Sequence, residues 1–82
     1  MPRYYFDVRE AGSLAVDEEG IELLDIEAAQ EAAARSLVDM ARDALRRNSG
    51  DSTPHNLAIE VRDVAGPLLQ AKFTVAADRP IR

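Results

Sequence analysis

The residues best placed to do chemistry are acidic. Asp17-Glu18-Glu19-Gly20-Ile21-Glu22 sets four carboxylates within six residues, and clustered carboxylate oxygens are what a calcium ion binds. A calcium loop needs oxygen ligands at alternating positions and a distal bidentate glutamate, and this stretch has neither. The expectation is therefore a solvated acidic turn leading into a helix. Its functional alternative is a docking patch of Asp17, Glu18, Glu19 and Glu22 for a basic protein partner.

His55 is the only histidine. Asp51, Ser52 and Thr53 are its neighbours, but a catalytic histidine needs a nucleophile or carboxylate held at hydrogen-bond distance. Five residues of one polar loop do not supply that geometry, so an exposed loop histidine is expected. Paired carboxylates do acid–base work only where a pocket shifts one pKa, and nothing in the pattern singles out such a pair. Phosphate-cradling glycine loops, zinc-ligand spacing and the Gly-x-Ser-x-Gly nucleophile motif are all absent from the sequence. The chain has no cysteine, which excludes disulfides, thiol catalysis and thiolate metal sites. No cofactor is expected.

Aromatic residues interleaved with bases are the remaining chemical signal. Tyr4-Tyr5-Phe6 opens the chain, and an RNA-binding sheet exposes two or three aromatics among cations. Period-two alternation puts Tyr4, Phe6 and Val8 on one side and Tyr5, Asp7 and Arg9 on the other. Tyr4 and Phe6 thus belong to a core, and a lone Tyr5 shares the outer face with Arg9, Arg62 and Lys72. Those four residues form the candidate alternative face.

Residues 3–9 read as a half-buried strand, Glu10-Ala11-Gly12-Ser13 as a turn, and Leu14-Ala15-Val16 as its hairpin partner. Asp17-Glu18-Glu19-Gly20 is a second turn with Gly20 free to take positive φ, and Ile21–Leu23 a further extended piece. Asp25 is an N-cap, and Ile26 to about Arg47 is rich in strong helix formers. Ala29, Ala33, Leu37, Met40, Ala41, Ala44 and Leu45 make its apolar stripe. Glu31–Arg35, Asp39–Arg42 and Asp43–Arg47 are spaced to pair on the exposed side. The alanines suit close packing on the chain's own sheet, or a helix–helix dimer seam.

Asn48 to His55 is a polar loop. Leu57, Ile59 and Val61 alternate with Ala58, Glu60 and Arg62, and Leu69, Ala71, Phe73 and Val75 with Leu68, Gln70, Lys72 and Thr74. Asp63 to Pro67 joins these two strands as a hairpin. Pairing Ile59 with Phe73 sets Glu60 opposite Lys72; a two-residue shift keeps the same faces. The predicted fold is α+β: an antiparallel sheet of two β-hairpins with one long helix on one face, in the order β-β-(β)-α-β-β. Residues 1–82 form a single domain with 76–82 as a flexible tail, and the bare sheet face is polar enough to meet water.

At 82 residues, 46% hydrophobic and 30% charged, the chain is a folded domain with a thin core; it buries about 60–65% of its unfolded surface. The net charge of −5 comes from the acidic run of seven carboxylates between Asp17 and Glu31, which contains no Lys or Arg. That balance argues against the phosphate backbone as the main partner. No segment has the roughly 20 apolar residues of a membrane span, and the first residues lack a signal-peptide pattern. A small domain without staples suits a reducing cytoplasm.

The Pro-Arg-Tyr-Tyr-Phe start, Asp17-Glu18-Glu19-Gly20-Ile21-Glu22-Leu23 before an Ala-rich helix, and Ile59-Glu60-Val61-Arg62-Asp63 followed by Gly66 stand together in this chain. In these it resembles a family of short uncharacterised proteins common in alphaproteobacteria, grouped as a domain of unknown function. The resemblance covers nearly the whole chain and implies a bacterial, cytoplasmic, stand-alone protein; it brings no activity and no catalytic residues. A fainter likeness, at the level of fold alone, is to HicB-type antitoxins.

The functional expectation is a small non-catalytic interaction or regulatory module, self-association through a strand edge or the alanine stripe being one form of it. Its partners would be a second copy or a basic protein. The alternative is a nucleic-acid-binding or HicB-like antitoxin-type module using the polar sheet face. An enzyme with its site at a subunit interface has least support, since no nucleophile–base pair can be named.

Overall fold

The computed structural model of the chain describes residues 1–47, with the side chain of Arg47 excepted, and 54–76. Alternation of apolar and polar residues makes strands of β1 (Arg3–Glu10), β4 (His55–Asp63) and β5 (Gly66–Val75), and two short pieces, β2 (Ser13–Ala15) and β3 (Ile21–Glu22), attach to β1. The sheet is antiparallel in the order β2-β1-β4-β5, with β3 pairing β1 at Arg3 and Tyr4. One helix, α1 (Ile26–Arg47), covers one face, so the α+β architecture read from the sequence is the one observed.

The helix starts where its cap predicts. Asp25 Oδ1 accepts the Ala28 amide at 2.9 Å, satisfying one of the donors a helix start leaves open. Ala29, Ala33, Leu37, Ala41 and Ala44 are buried, and their small side chains let the helix settle closely on β4 and β5, which it contacts about equally. Tyr4, Leu57, Ile59, Val61 and Val75 complete the core, with Phe6, Val8, Met40, Leu69 and Ala71 packed around it. Leu45 departs from the predicted stripe. It is 43% exposed, on the helix flank beside β5. Glu31 pairs with Arg35 and Asp39 with Arg42, as spaced, while Asp43 pairs with Arg46; the expected Arg47 partner lies outside the described side chains. All these pairs are solvent-exposed and contribute only tenths of a kcal/mol each.

The hairpin register differs from the expected one. Ile59 faces Ala71 and Glu60 faces Gln70, two residues from the Ile59–Phe73 and Glu60–Lys72 pairing. The cause is the turn. Asp63 pairs with Gly66 across only Val64 and Ala65, and Asp63 Oδ1 accepts the Ala65 amide at 2.8 Å. Continued without interruption, that closure would set Val61 against Leu68 and turn β5 over. A bulge leaves Leu68 unpaired, so Val61 meets Leu69 and the apolar faces coincide.

His55 is the first residue of β4, opposite Val75, rather than a loop residue. It is half-buried, and its Nε2 is buried without a partner among the described residues. Backbone pairing with Val75 is what draws it out of the loop and into the sheet. Residues 48–53 of the expected loop, and 77–82 of the expected tail, lie outside the described residues.

The β1–β2 turn places Ala11 at φ 53° and Gly12 at φ 81°. Both central positions of this hairpin turn require positive φ, which glycine and asparagine adopt readily and alanine does not. Ala11→Asn should raise stability by about 0.5–1 kcal/mol, measured by chemical denaturation; an unchanged or lower midpoint would show that the alanine is not strained.

Candidate functional site

Three surfaces could serve function: the acidic segment, the polar sheet face, and the outer edge of β5. The first two are joined through buried charge. Asp7 alternates onto the polar face of β1, yet it is 7% exposed, in contrast to the solvated position expected for it. Its neighbours explain the burial. Arg62 Nε donates to Asp7 Oδ2 at 2.8 Å, and the Asp17 amide donates to Asp7 Oδ1 at 2.9 Å. The guanidinium also donates to the Asp17 carbonyl at 2.8 Å and lies 4.6 Å from the centre of the Tyr5 ring. An arginine can serve all of these contacts at once because its donors form a planar fork.

Asp17 in turn holds backbone. Its Oδ2 accepts the Phe6 amide at 3.1 Å, and its Oδ1 accepts the amides of Glu19 and Gly20 at 3.1 and 3.0 Å. Phe6 lies between the β1 residues that pair with β3 and those that pair with β2, so the carboxylate bridges a gap between two short strands. Gly20 takes φ 70°, and a Cβ there would come within 2.9 Å of Arg3 Cγ and Tyr5 Cε2. Only glycine lets the segment lie so close.

The proposed docking residues Asp17, Glu18, Glu19 and Glu22 are therefore engaged differently from one another. Asp17 is directed at backbone amides. Glu22 pairs with Arg3 at 3.3 Å, and the Glu19 carbonyl accepts from the same guanidinium at 2.8 Å. Glu18 and Glu19 are exposed. The alternative face is likewise divided. Tyr5 and Arg62 stack at one end, where Arg62 is bound to Asp7. At the other end Arg9 is bonded to Glu60, which also accepts from Gln70. Register places Arg9 and Lys72 on either side of Ala58, with a shallow cavity of about 330 Å³ between them and the β1–β2 turn. Acids thus neutralise both arginines, leaving Lys72 as the cation of that face with no partner among the described residues.

Proton chemistry finds little purchase here. The hydrogen bond from Arg62 holds the Asp7 carboxyl below its ordinary value, burial working against it. The Gly20 amide does the same for Asp17, helped by those of Phe6 and Glu19. Asp7 in turn raises Arg62. Carboxylates held ionised in this way are poor general acids near neutrality. Among the described residues no three His, Cys, Asp or Glu side chains are grouped to hold a metal ion, and no helix is long and apolar enough to cross a membrane.

Sequence reasoning named a strand edge as a route to self-association but not which edge it is. Among the described residues β5 is the outermost strand, ten residues long, with Lys72 its one charge. Beside it the helix flank and the strand form an open groove of about 500 Å³ lined mostly by apolar residues, Ala34, Leu37, Val38, Leu69, Ala71 and Phe73, with Gln30, Gln70 and Lys72 also in its wall. Val38 and Phe73 are 47% and 43% exposed. Exposed edges are normally guarded by charge, proline or bulges; here Pro67 and the bulge at Leu68 guard only the start of the strand, and Leu69–Val75 carries Lys72 as its one charge, which is the signal that marks such an edge.

The buried charges set the acid response. Both carboxyls titrate lower in the folded than in the unfolded chain, so the unfolded chain binds more protons in acid and stability rises with pH there. The contribution is complete above the ordinary carboxylate value of about 3.9 and is lost as pH falls through the folded-state values. In Asp17→Asn a donor would replace one carboxylate oxygen against the amides it now accepts. Denaturation at stepped pH should find this variant about 2 kcal/mol less stable at neutral pH, with the two curves converging in acid. Curves that stay parallel would remove Asp17 from this role. Gly20→Ala should cost about 1–3 kcal/mol at every pH, from strain and close contact, read by the same assay.

Neither a curated protein nor a solved structure matches the chain. A family model does, over residues 3–74, which take in β1 to β4, the helix and all of β5 but Val75. The chain belongs to the family described as Domain of unknown function (DUF6894).

Proposed function

We propose that this protein is a small non-catalytic interaction module whose docking element is the outer edge of β5. The carrying observation is the edge itself: a ten-residue outermost strand with one charge, beside an open apolar groove. A strand in that position presents a row of backbone donors and acceptors to any extended chain, and alternate side chains of the groove select among them. The opposite edge is formed by strands of three and two residues, too short to hold a partner by main-chain pairing. The polar face supports docking less well, because Asp7 and Glu60 already occupy its arginines.

The test is capture from native lysate by the tagged chain and by a tagged Val38→Glu/Phe73→Glu variant, with proteins and nucleic acid both identified. Val38 and Phe73 are each more than two-fifths exposed, so circular dichroism should find the variant folded. A protein retained in stoichiometric amount by the first bait and lost from the second is the expected result. Retention by both, recovery of nucleic acid as the main species, or nothing retained by either from a lysate that also holds the untagged chain, the bait itself remaining a monomer, would overturn the reading.

A further inference from the structure

We infer that the edge of β5 pairs with the edge of β5 in a second copy of this chain, around a two-fold axis at Ala71 normal to the sheet. This rests on the reading of β5 as the docking element and names its occupant. Three independent features are self-complementary about that axis.

The first is the strand. Antiparallel pairing centred on Ala71 sets Leu69 opposite Phe73 of the second copy, Ala71 opposite its equivalent, and Phe73 opposite Leu69. Two large side chains then flank a small one on the face that bears the helix. On the other face Lys72 meets Gln70, so the single cation of the edge is not set against itself. Pro67, which lacks an amide, falls outside this central stretch.

The second is the spacing of the helices. α1 contacts β4 and β5 about equally, which centres it between them, half a strand spacing inside the edge. Pairing the edges leaves the two helices two strand spacings apart, about 10 Å at 4.8 Å per strand. Helices in contact lie 8–10 Å apart. A helix centred farther in would leave a trough between the copies, and one centred farther out would block the approach.

The third is the helix flank beside β5. Glu31, Ala34, Val38, Arg42 and Leu45 recur at intervals of three and four, and so form one stripe. Ala34 and Val38 line the groove beside Ala71, so the axis passes between them. An antiparallel helix pair centred there sets Ala34 against Val38 and Glu31 against Arg42 in both directions. The present partners of these charges are exposed i,i+3 and i,i+4 pairs, which compete only weakly.

Sedimentation equilibrium of the purified chain should show its mass rising from one chain towards two with concentration. Val38→Glu should weaken association by at least about tenfold while circular dichroism stays unchanged. Glu31→Arg and Arg42→Glu should each weaken it by about three- to tenfold, and the double exchange should restore it. Because the chain has no cysteine, a single introduced one gives a clean readout. Ala71→Cys meets its equivalent within disulfide range and should cross-link under oxidation, whereas Thr74→Cys should not. A monomer at every concentration, with edge-dependent capture from lysate intact, overturns the second copy as partner and keeps the docking edge. A monomer without such capture overturns both. A dimer that cross-links at Thr74 and not at Ala71, or that the double charge exchange fails to restore, overturns the axis.

Discussion

The sheet depends on a carboxylate that does the work of a strand. β1 is paired with β4 along most of its length, but its partners β2 and β3 contribute only three and two residues and leave Phe6 between them. Asp17 fills that interval by accepting the Phe6 amide while it gathers the amides of Glu19 and Gly20. Asp7 and Arg62 hold the Asp17 backbone in place. Backbone groups inside a sheet must be satisfied, and here one ionised side chain satisfies that of Phe6 in β1 while also holding two amides of the turn before β3. The acidic run that attracts attention as a binding feature thus begins with a residue whose position is architectural.

This explains why the polar face is quiet chemically. Its charges are matched in pairs across strands: Arg62 with Asp7, Arg9 with Glu60. Such matching stabilises a unique arrangement and lowers the field that a phosphate or a basic peptide would meet. Attention moves to a surface defined by the lack of charge. The outermost strand carries one cation in ten residues, and the apolar side chains beside it gain from being covered.

Much of the fold is legible in the sequence because local and global signals agree. Period-two alternation gives β1, β4 and β5, and the cap at Asp25 with its alanine stripe gives the helix and its buried face. What local pattern does not carry is long-range choice. Asp7 looks like any outward residue of a half-exposed strand until Arg62, 55 positions away, closes over it. The register of β4 on β5 depends on one unpaired residue, Leu68, that alternation cannot locate. Leu45 follows the helix period but sits on the flank beside β5, where the sheet ends. The outer edge emerges only once strand order is known, since nothing local says that β1, rather than β5, occupies the middle.

The bulge at Leu68 has a bearing on how this hairpin can vary among relatives. Turn length and strand facing are linked by parity: the two-residue turn and the single extra residue cancel, and the apolar sides of β4 and β5 fall together. One residue gained in the turn would make the bulge superfluous, and one lost from the bulge would require a longer turn. Relatives that keep the core should therefore trade length between these two places, conserving the odd or even count of the connection more strictly than any residue in it.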